Sequence, residues 1–309
     1  MAQFTRYHKK HRSMMEKISD QRNVKYLLLF VMPAFLFYVV FLLVPILGAF
    51  YYSLTDWSPV RPNYNFVGLN NYVRAFTQDP QFINSLLLTL RYTAFVFVLQ
   101  NVFALGLALM IETRGRSKAF FRTIFFLPNM LSLVISSLMF RFIFTNVFPE
   151  LSERPFLGFL EQGWLGNPSV AFYSILIVVL WNGVGYMMVI YLAALQGVPQ
   201  SLIEAAMIDG AGGAKRLFKV TIPMIMPALT ICSFLTLIRS FQIFDVVFRL
   251  TGGGPGRATQ VIAMNIYEEA FSNNFLFGYA NAKAMIFFGI ILVITLIQTF
   301  VMKRLEVES

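Results

Sequence analysis

Cysteine occurs once in this chain of 309 residues, at Cys232, and histidine twice, at His8 and His11. One cysteine excludes a disulfide framework and a cysteine-based zinc site. Both histidines lie in a basic N-terminal stretch, so no Ser/His/Asp set can assemble inside the hydrophobic body of the chain. No G-x-x-x-x-G-K-[ST] phosphate loop is present. The glycine-rich run Gly210–Lys215 has its lysine at the wrong spacing, and Leu217 stands where a metal-contacting hydroxyl would follow. A non-catalytic chain is therefore expected, and any ATP-driven work falls to a separate polypeptide. Charge is scarce as well: charged residues make up 13%, where a soluble domain carries roughly 25%.

Hydrophobic residues, in contrast, make up 57%, with 34 Phe and 13 Tyr. That excludes disorder and leaves too little polar shell for a water-soluble globule. A helix crossing the bilayer needs about 20 mostly apolar residues, and charge-free runs of that order recur. They predict an all-α membrane protein with six transmembrane helices, at about 26–54, 86–111, 122–145, 170–195, 223–250 and 278–302. Residues 1–25 form a basic arm, 26–302 the membrane domain with a polar loop at 197–222, and 303–309 a tail. The first apolar run is too long for a cleavable signal core. Pro33 and Pro45 inside it predict a kink.

Lys and Arg are distributed unevenly. With the N-terminus inside, the inner segments carry 16 of the 25 and the outer loops five, so the positive-inside rule puts both termini in the cytoplasm. The net charge of +10 is mostly this topological signal, aided by attraction to anionic lipid. No nucleic-acid partner is needed. Arg91, Arg141 and Lys283 at the outer ends of spans read as interfacial anchors.

The inner loop between the fourth and fifth spans is the most informative segment. Ser201 and Glu204 have the S-x-x-E spacing of a capping box, Ala205 and Ala206 favour helix, and Gly210 is placed to end it in a left-handed turn. A basic and apolar segment, 214–221, then lies along the membrane surface to Pro223. Within this loop Glu204-Ala205-Ala206, three residues, Gly210, nine residues and Val220-x-Ile222-Pro223 resemble the EAA signature of ABC-importer membrane subunits. Val220 and Ile222 replace the Ile and Leu more usual there.

The resemblance continues outside this loop. Phe66-Val67-Gly68-Leu69-Asn70-Asn71-Tyr72 and Leu250-Thr251-Gly252-Gly253-Gly254-Pro255 look like the first and last outer loops of binding-protein-dependent sugar permeases. The C-terminal run 300–305 is similar to that of the first of two non-identical permeases in maltose and glycerol-phosphate importers. The resemblance covers about residues 25–305.

It implies a type I importer core in a prokaryotic cytoplasmic (inner) membrane. It also implies a second homologous permease, two copies of a cytoplasmic ABC ATPase that bind ATP and Mg, and an extracytoplasmic sugar-binding protein. Glu204 would be the anchoring acid of the coupling helix, Ala205 and Ala206 its close-packing surface, Gly210 its turn, with Ser201 and Asp209 at the two ends.

Polar groups inside spans are costly and mark candidate substrate contacts. Asn182, Gly183 and Tyr186 on the fourth span, and Arg239, Ser240, Gln242 and Asp245 on the fifth, offer the stacking surface, amides and charges that bind sugars. Asn182, Gly183, Tyr186 and Ser240 fall near sugar-contacting positions of the maltose-importer permease; Arg239 and Asp245 depart from its residues. The structural alternatives are Arg239 reaching for head groups, Asp245 at a helix end and Asn182 bonded to another helix. An ion-coupled secondary transporter is the rival reading, but Asp245 is the only acid within a span. An ion channel lacks a filter loop here.

Overall fold

A computed structural model describes residues 21–273 and 275–305. Helices dominate it. They are α1 (Leu28–Ser53), α2 (Asn70–Thr77), α3 (Pro80–Glu112), α4 (Lys118–Phe126), α5 (Leu133–Ser152) and α6 (Pro168–Gln196). The second half adds α7 (Gln200–Ile208), α8 (Gly213–Met224), α9 (Met226–Phe241), α10 (Phe244–Leu250), α11 (Ile262–Glu268) and α12 (Phe277–Leu305). Among the described residues there is no strand, only one isolated bridge, Thr55 to Phe66. Among the described residues five helices are long and apolar enough to cross a membrane, or six when the bent pair α8–α9 counts as one span.

Proline shapes these helices through wide turns. Three π turns, Val39–Leu43, Ile143–Val147 and Leu217–Thr221, each stop two residues before a proline: Pro45, Pro149 and Pro223. A proline ring presses on the carbonyl four residues back and supplies no amide to it. One widened turn absorbs both defects without ending the helix. Pro33 lies within helix throughout.

Two expected spans are interrupted. The run 122–145 is not one helix: α4 ends at Phe126, a 3₁₀ turn occupies Leu127–Met130, and Leu131 is extended before Ser132 caps α5 by accepting from the Val134 amide. Pro128, lacking an amide, sits at the interruption. The run 223–250 is broken twice. A 74° bend separates α8 from α9, next to Pro227, and a second break at Gln242–Ile243 separates α9 from α10.

The core is the pairing of α3 with α6. A stripe on α3 including Tyr92, Val96, Gln100, Ala104, Ala108 and Ile111 is buried, at the spacing of one helix face. Ala104 and Ala108 are small, so α6 approaches closely and packs Met187, Met188, Tyr191 and Leu192 around them, as membrane helices do. On the other side of α6 the end of α4 comes closer still. A Cβ at Gly185 would overlap the Phe125 carbonyl, so only glycine fits. α1 behaves differently: its most apolar window buries nothing in this chain.

Candidate functional site

The break between α9 and α10 opens a cavity of about 230 Å³ in the middle of the bundle. Arg239, Ser240, Gln242 and Asp245 line it from the broken helix, Asn182 and Gly183 from α6, and Tyr92, Val96 and Gln100 from α3. Six of the seven residues singled out from the sequence thus converge. The seventh, Tyr186, sits one turn from Asn182 and carries the Arg239 guanidinium over its ring at 4.4 Å. This cation–π contact keeps Arg239 at the cavity rather than at head groups.

Their roles differ. Asn182 is only 6% exposed, and its Nδ2 donates to Pro128 O at 2.9 Å, Leu131 O at 3.2 Å and Ser136 Oγ at 3.4 Å. Asn129 returns a bond to the Asn182 carbonyl at 3.3 Å. Asn182 thus satisfies the carbonyls freed by the α4–α5 interruption, which is the structural alternative named for it, while still lining the cavity. The Ser240 hydroxyl is likewise spent, donating to Leu237 O at 2.8 Å. Gly183 leaves room for the Gln100 amide, whose Nε2 would lie 2.8 Å from a Cβ there. The groups turned to the opening are Arg239, Gln242 and Asp245, all exposed in the single chain. Gln100 and Tyr92 were missed by sequence reasoning; a lone glutamine in a charge-free run was the available signal.

At the far end of α6 lies α7. The capping box is not formed. Pro199 is the N-cap residue and the helix starts at Gln200, with no side-chain cap bond. Ser201 is therefore already inside the first turn, where it cannot play the N-cap part. The C-terminal end follows expectation: Gly210 has φ +74°, Gly210 N bonds Met207 O at 3.0 Å, and Ala211 N bonds Ala206 O at 2.9 Å. That pair of bonds is a Schellman motif, with Asp209 as the C-cap. No residue of α7 is buried, and Ile208 is 87% exposed. Glu204, Ala205 and Asp209 are exposed beside it, and Ala206 is half-buried.

Residues 100–307 match the family described as the inner membrane component of binding-protein-dependent transport systems. The chain belongs to that family. It is 37% identical over 295 residues to the probable starch degradation products transport system permease protein AmyD of Thermoanaerobacterium thermosulfurigenes, covering 96% of this chain and 100% of the relative. It is 34% identical to the multiple sugar-binding transport system permease protein MsmF of Streptococcus mutans, covering 87% and 92%. Its fold matches that of a chain in a bacterial alginate ABC transporter crystallised with an alginate pentasaccharide-bound periplasmic protein, at a TM-score of 0.77 and 22% identity, over 93% of this chain and 97% of that one.

This multi-pass permease also contains a polar centre that its sequence disguised. Lys283 is not an interfacial anchor. Its side chain is 0% exposed, with Nζ 2.7 Å from Asp79 Oδ2 and 2.8 Å from Glu269 Oε2 and donating to Asn265 Oδ1 at 3.0 Å. Asp79 also caps α3 through the Phe82 amide at 2.9 Å and accepts from the Tyr279 hydroxyl at 2.9 Å. Burial alone would raise the Asp79 carboxyl, but these bonds from Lys283, Phe82 and Tyr279 hold it below the usual carboxylate range. Arg91 packs over the Phe172 ring at 4.8 Å and Arg141 donates to the Arg249 carbonyl at 3.3 Å, so these two are tied to neighbouring elements.

Proposed function

We propose that this permease is the first of two non-identical membrane subunits of an ATP-driven ABC importer for a carbohydrate, with both termini in the cytoplasm. The observation that carries the reading is α7. It is a helix closed at its C-terminal end by a Schellman turn, with no fully buried residue, an apolar tip and one acid, at the end of the bundle where the positive-inside bias places the cytoplasm. Such a surface is a ready groove-filling helix for another protein.

In this reading Glu204 anchors the helix in the ATPase, while Ala205 and Ala206 let the two backbones approach. Gly210 fixes the turn through which α8 carries displacement to α9. Ser201 and Asp209 flank the contact. ATP and Mg are held by two copies of the ATPase, and this chain carries no catalytic group. Closure of the ATPases selects between inward- and outward-open arrangements, which needs only differential binding to the two states. Displacement at α7 would reach the cavity through α8, the 74° bend and α9, whose end at Phe241 adjoins the cavity-lining Gln242.

The carbohydrate assignment leans on the names of the relatives and on the cavity's chemistry. Tyr92, Arg239, Gln242 and Asp245 line the same cavity and offer an aromatic ring, an amide and charge-assisted bonds to hydroxyls. Gln100 extends that polar lining, and Gly183 and Ser240 shape it. A second homologous permease closes the open side, and a sugar-binding protein delivers the substrate from outside.

The test is ATP-dependent uptake of radiolabelled oligosaccharide by proteoliposomes holding both permeases, the ATPase and the binding protein, with co-purification of the ATPase on this chain. Uptake that needs ATP supports the assignment. Uptake that runs on an ion gradient without the ATPase overturns it.

A further inference from the structure

A second recess, about 570 Å³ in volume, lies at the other end of the bundle from α7 and takes no part in the path described above. Gln81, Asn84 and Arg91 of α3 form one wall, and Arg257 and Gln260 of the loop before α11 form the other. Two guanidinium groups and three amides line it without a single carboxylate. Leu88 borders the recess and also packs with Tyr92 and Val96 in the apolar core, so apolar side chains separate it from the central cavity.

The walls are tied together. Ser85 Oγ donates to Gln260 Oε1 at 3.2 Å, and Gln260 Nε2 donates to Glu268 Oε2 at 2.6 Å. The Ile262 amide donates to Thr89 Oγ1 at 2.9 Å. Ser85 and Gln260 are each 2% exposed, so these bonds are shielded from water. Arg257 has φ +66°, in the left-handed region that a long side chain rarely occupies, and donates to Gln81 across the mouth. The loop thus presents one guanidinium at the rim, with Arg91 exposed on the opposite wall.

Two exposed guanidinium groups on a recess whose lining holds no carboxylate, with Glu268 behind it already bonded to Gln260, match an acidic side chain, which guanidinium forks bind in a bidentate way. In the orientation proposed above this recess opens outward, where a binding-protein-dependent permease meets its delivery protein. We propose that the recess receives an acidic side chain of the solute-binding protein, clamped between Arg91 and Arg257. The inference rests on the functional reading just given and assigns that partner a chemistry and a seat.

The test is ATPase stimulation of the complete importer in nanodiscs, titrated with its cognate sugar-loaded binding protein. Arg257→Glu, on an exposed loop, should raise the half-saturating concentration about tenfold or more, with the maximal rate recovered at saturation, because a rim charge acts on encounter and register. Arg257→Lys should stay within about threefold. Raising salt from about 0.05 to 0.3 M should weaken docking to the wild type and much less to Arg257→Glu.

Half-saturation by Arg257→Glu within about twofold of wild type would overturn the seat. So would loss of the second permease from the purified complex, which would make the recess an inter-subunit contact. A shift in the wild type on changing from zwitterionic to anionic lipid, absent in Arg257→Glu, would make it a lipid site. No stimulation of the wild type at all would instead defeat the importer assignment.

Discussion

Where α3 and α12 begin, Lys283 is wholly buried and joined to Asp79, Glu269 and Asn265, so that residues far apart in the chain close one polar knot. At the opposite end, α7 buries no residue at all and owes its shape to bonds within its own few turns. The first region has its partners inside the molecule. The second, among the described residues, touches little beyond the adjoining start of α8. An ion-paired end opposite an exposed helix is what a machine needs if motion enters at one end and is resisted at the other. Stability and coupling should therefore separate by region under mutation.

The largest effect is expected at Glu204. Glu204→Lys should abolish ATP-dependent uptake while leaving expression and thermal melting of the permease near wild type, because the side chain is exposed and forms no ion pair among the described residues. Loss of folded protein would blur the two regions. Next comes Lys283→Met, which leaves two carboxylates without their cation and should cost about 3–5 kcal/mol. Adding Asp79→Asn and Glu269→Gln should recover much of it, read as melting temperature in detergent. Failure of the added changes to recover anything would mean that the knot is not an electrostatic unit.

The same knot predicts a pH window. The folded-state value of Asp79 is depressed, so its contribution is fully present above the ordinary carboxylate value of about 4 and is lost as pH falls through the depressed one. Melting temperature should drop below that point, and Asp79→Asn should show a shallower drop. Smaller still are the effects on α7 itself. Gly210→Ala puts a Cβ at φ +74° and should cost about 1–2 kcal/mol locally, visible as reduced ATPase stimulation. Ser201→Ala should change stability by less than about 0.5 kcal/mol, since no cap bond is lost. A large Ser201 effect would restore the capping box.

Much of this architecture was legible because the bilayer imposes long apolar runs, and Pro128 and Pro227 advertise two of the interruptions. The break at Gln242–Ile243 carries no proline and no glycine, and it decides which side chains face the cavity. Asn182 was legible as a special polar residue but not in its partners, because the carbonyls it satisfies belong to a segment fifty residues earlier. Ser201 and Glu204 matched a local motif that Pro199 pre-empts by starting the helix two residues too soon. Lys283 was misread for the opposite reason: a lone cation at a span end ordinarily snorkels, and its acids are distant in sequence. Local spacing reports local structure; burial depends on who arrives from elsewhere.

The most direct test of force entering through α7 is a photo-crosslinking amino acid at position 206 in the complete importer. The expected result is a single major adduct with the ATPase subunit, while the same probe at position 257 gives none. Absence of an ATPase adduct at 206, or labelling of that position by an impermeant reagent from the outer face of intact cells, would contradict the account.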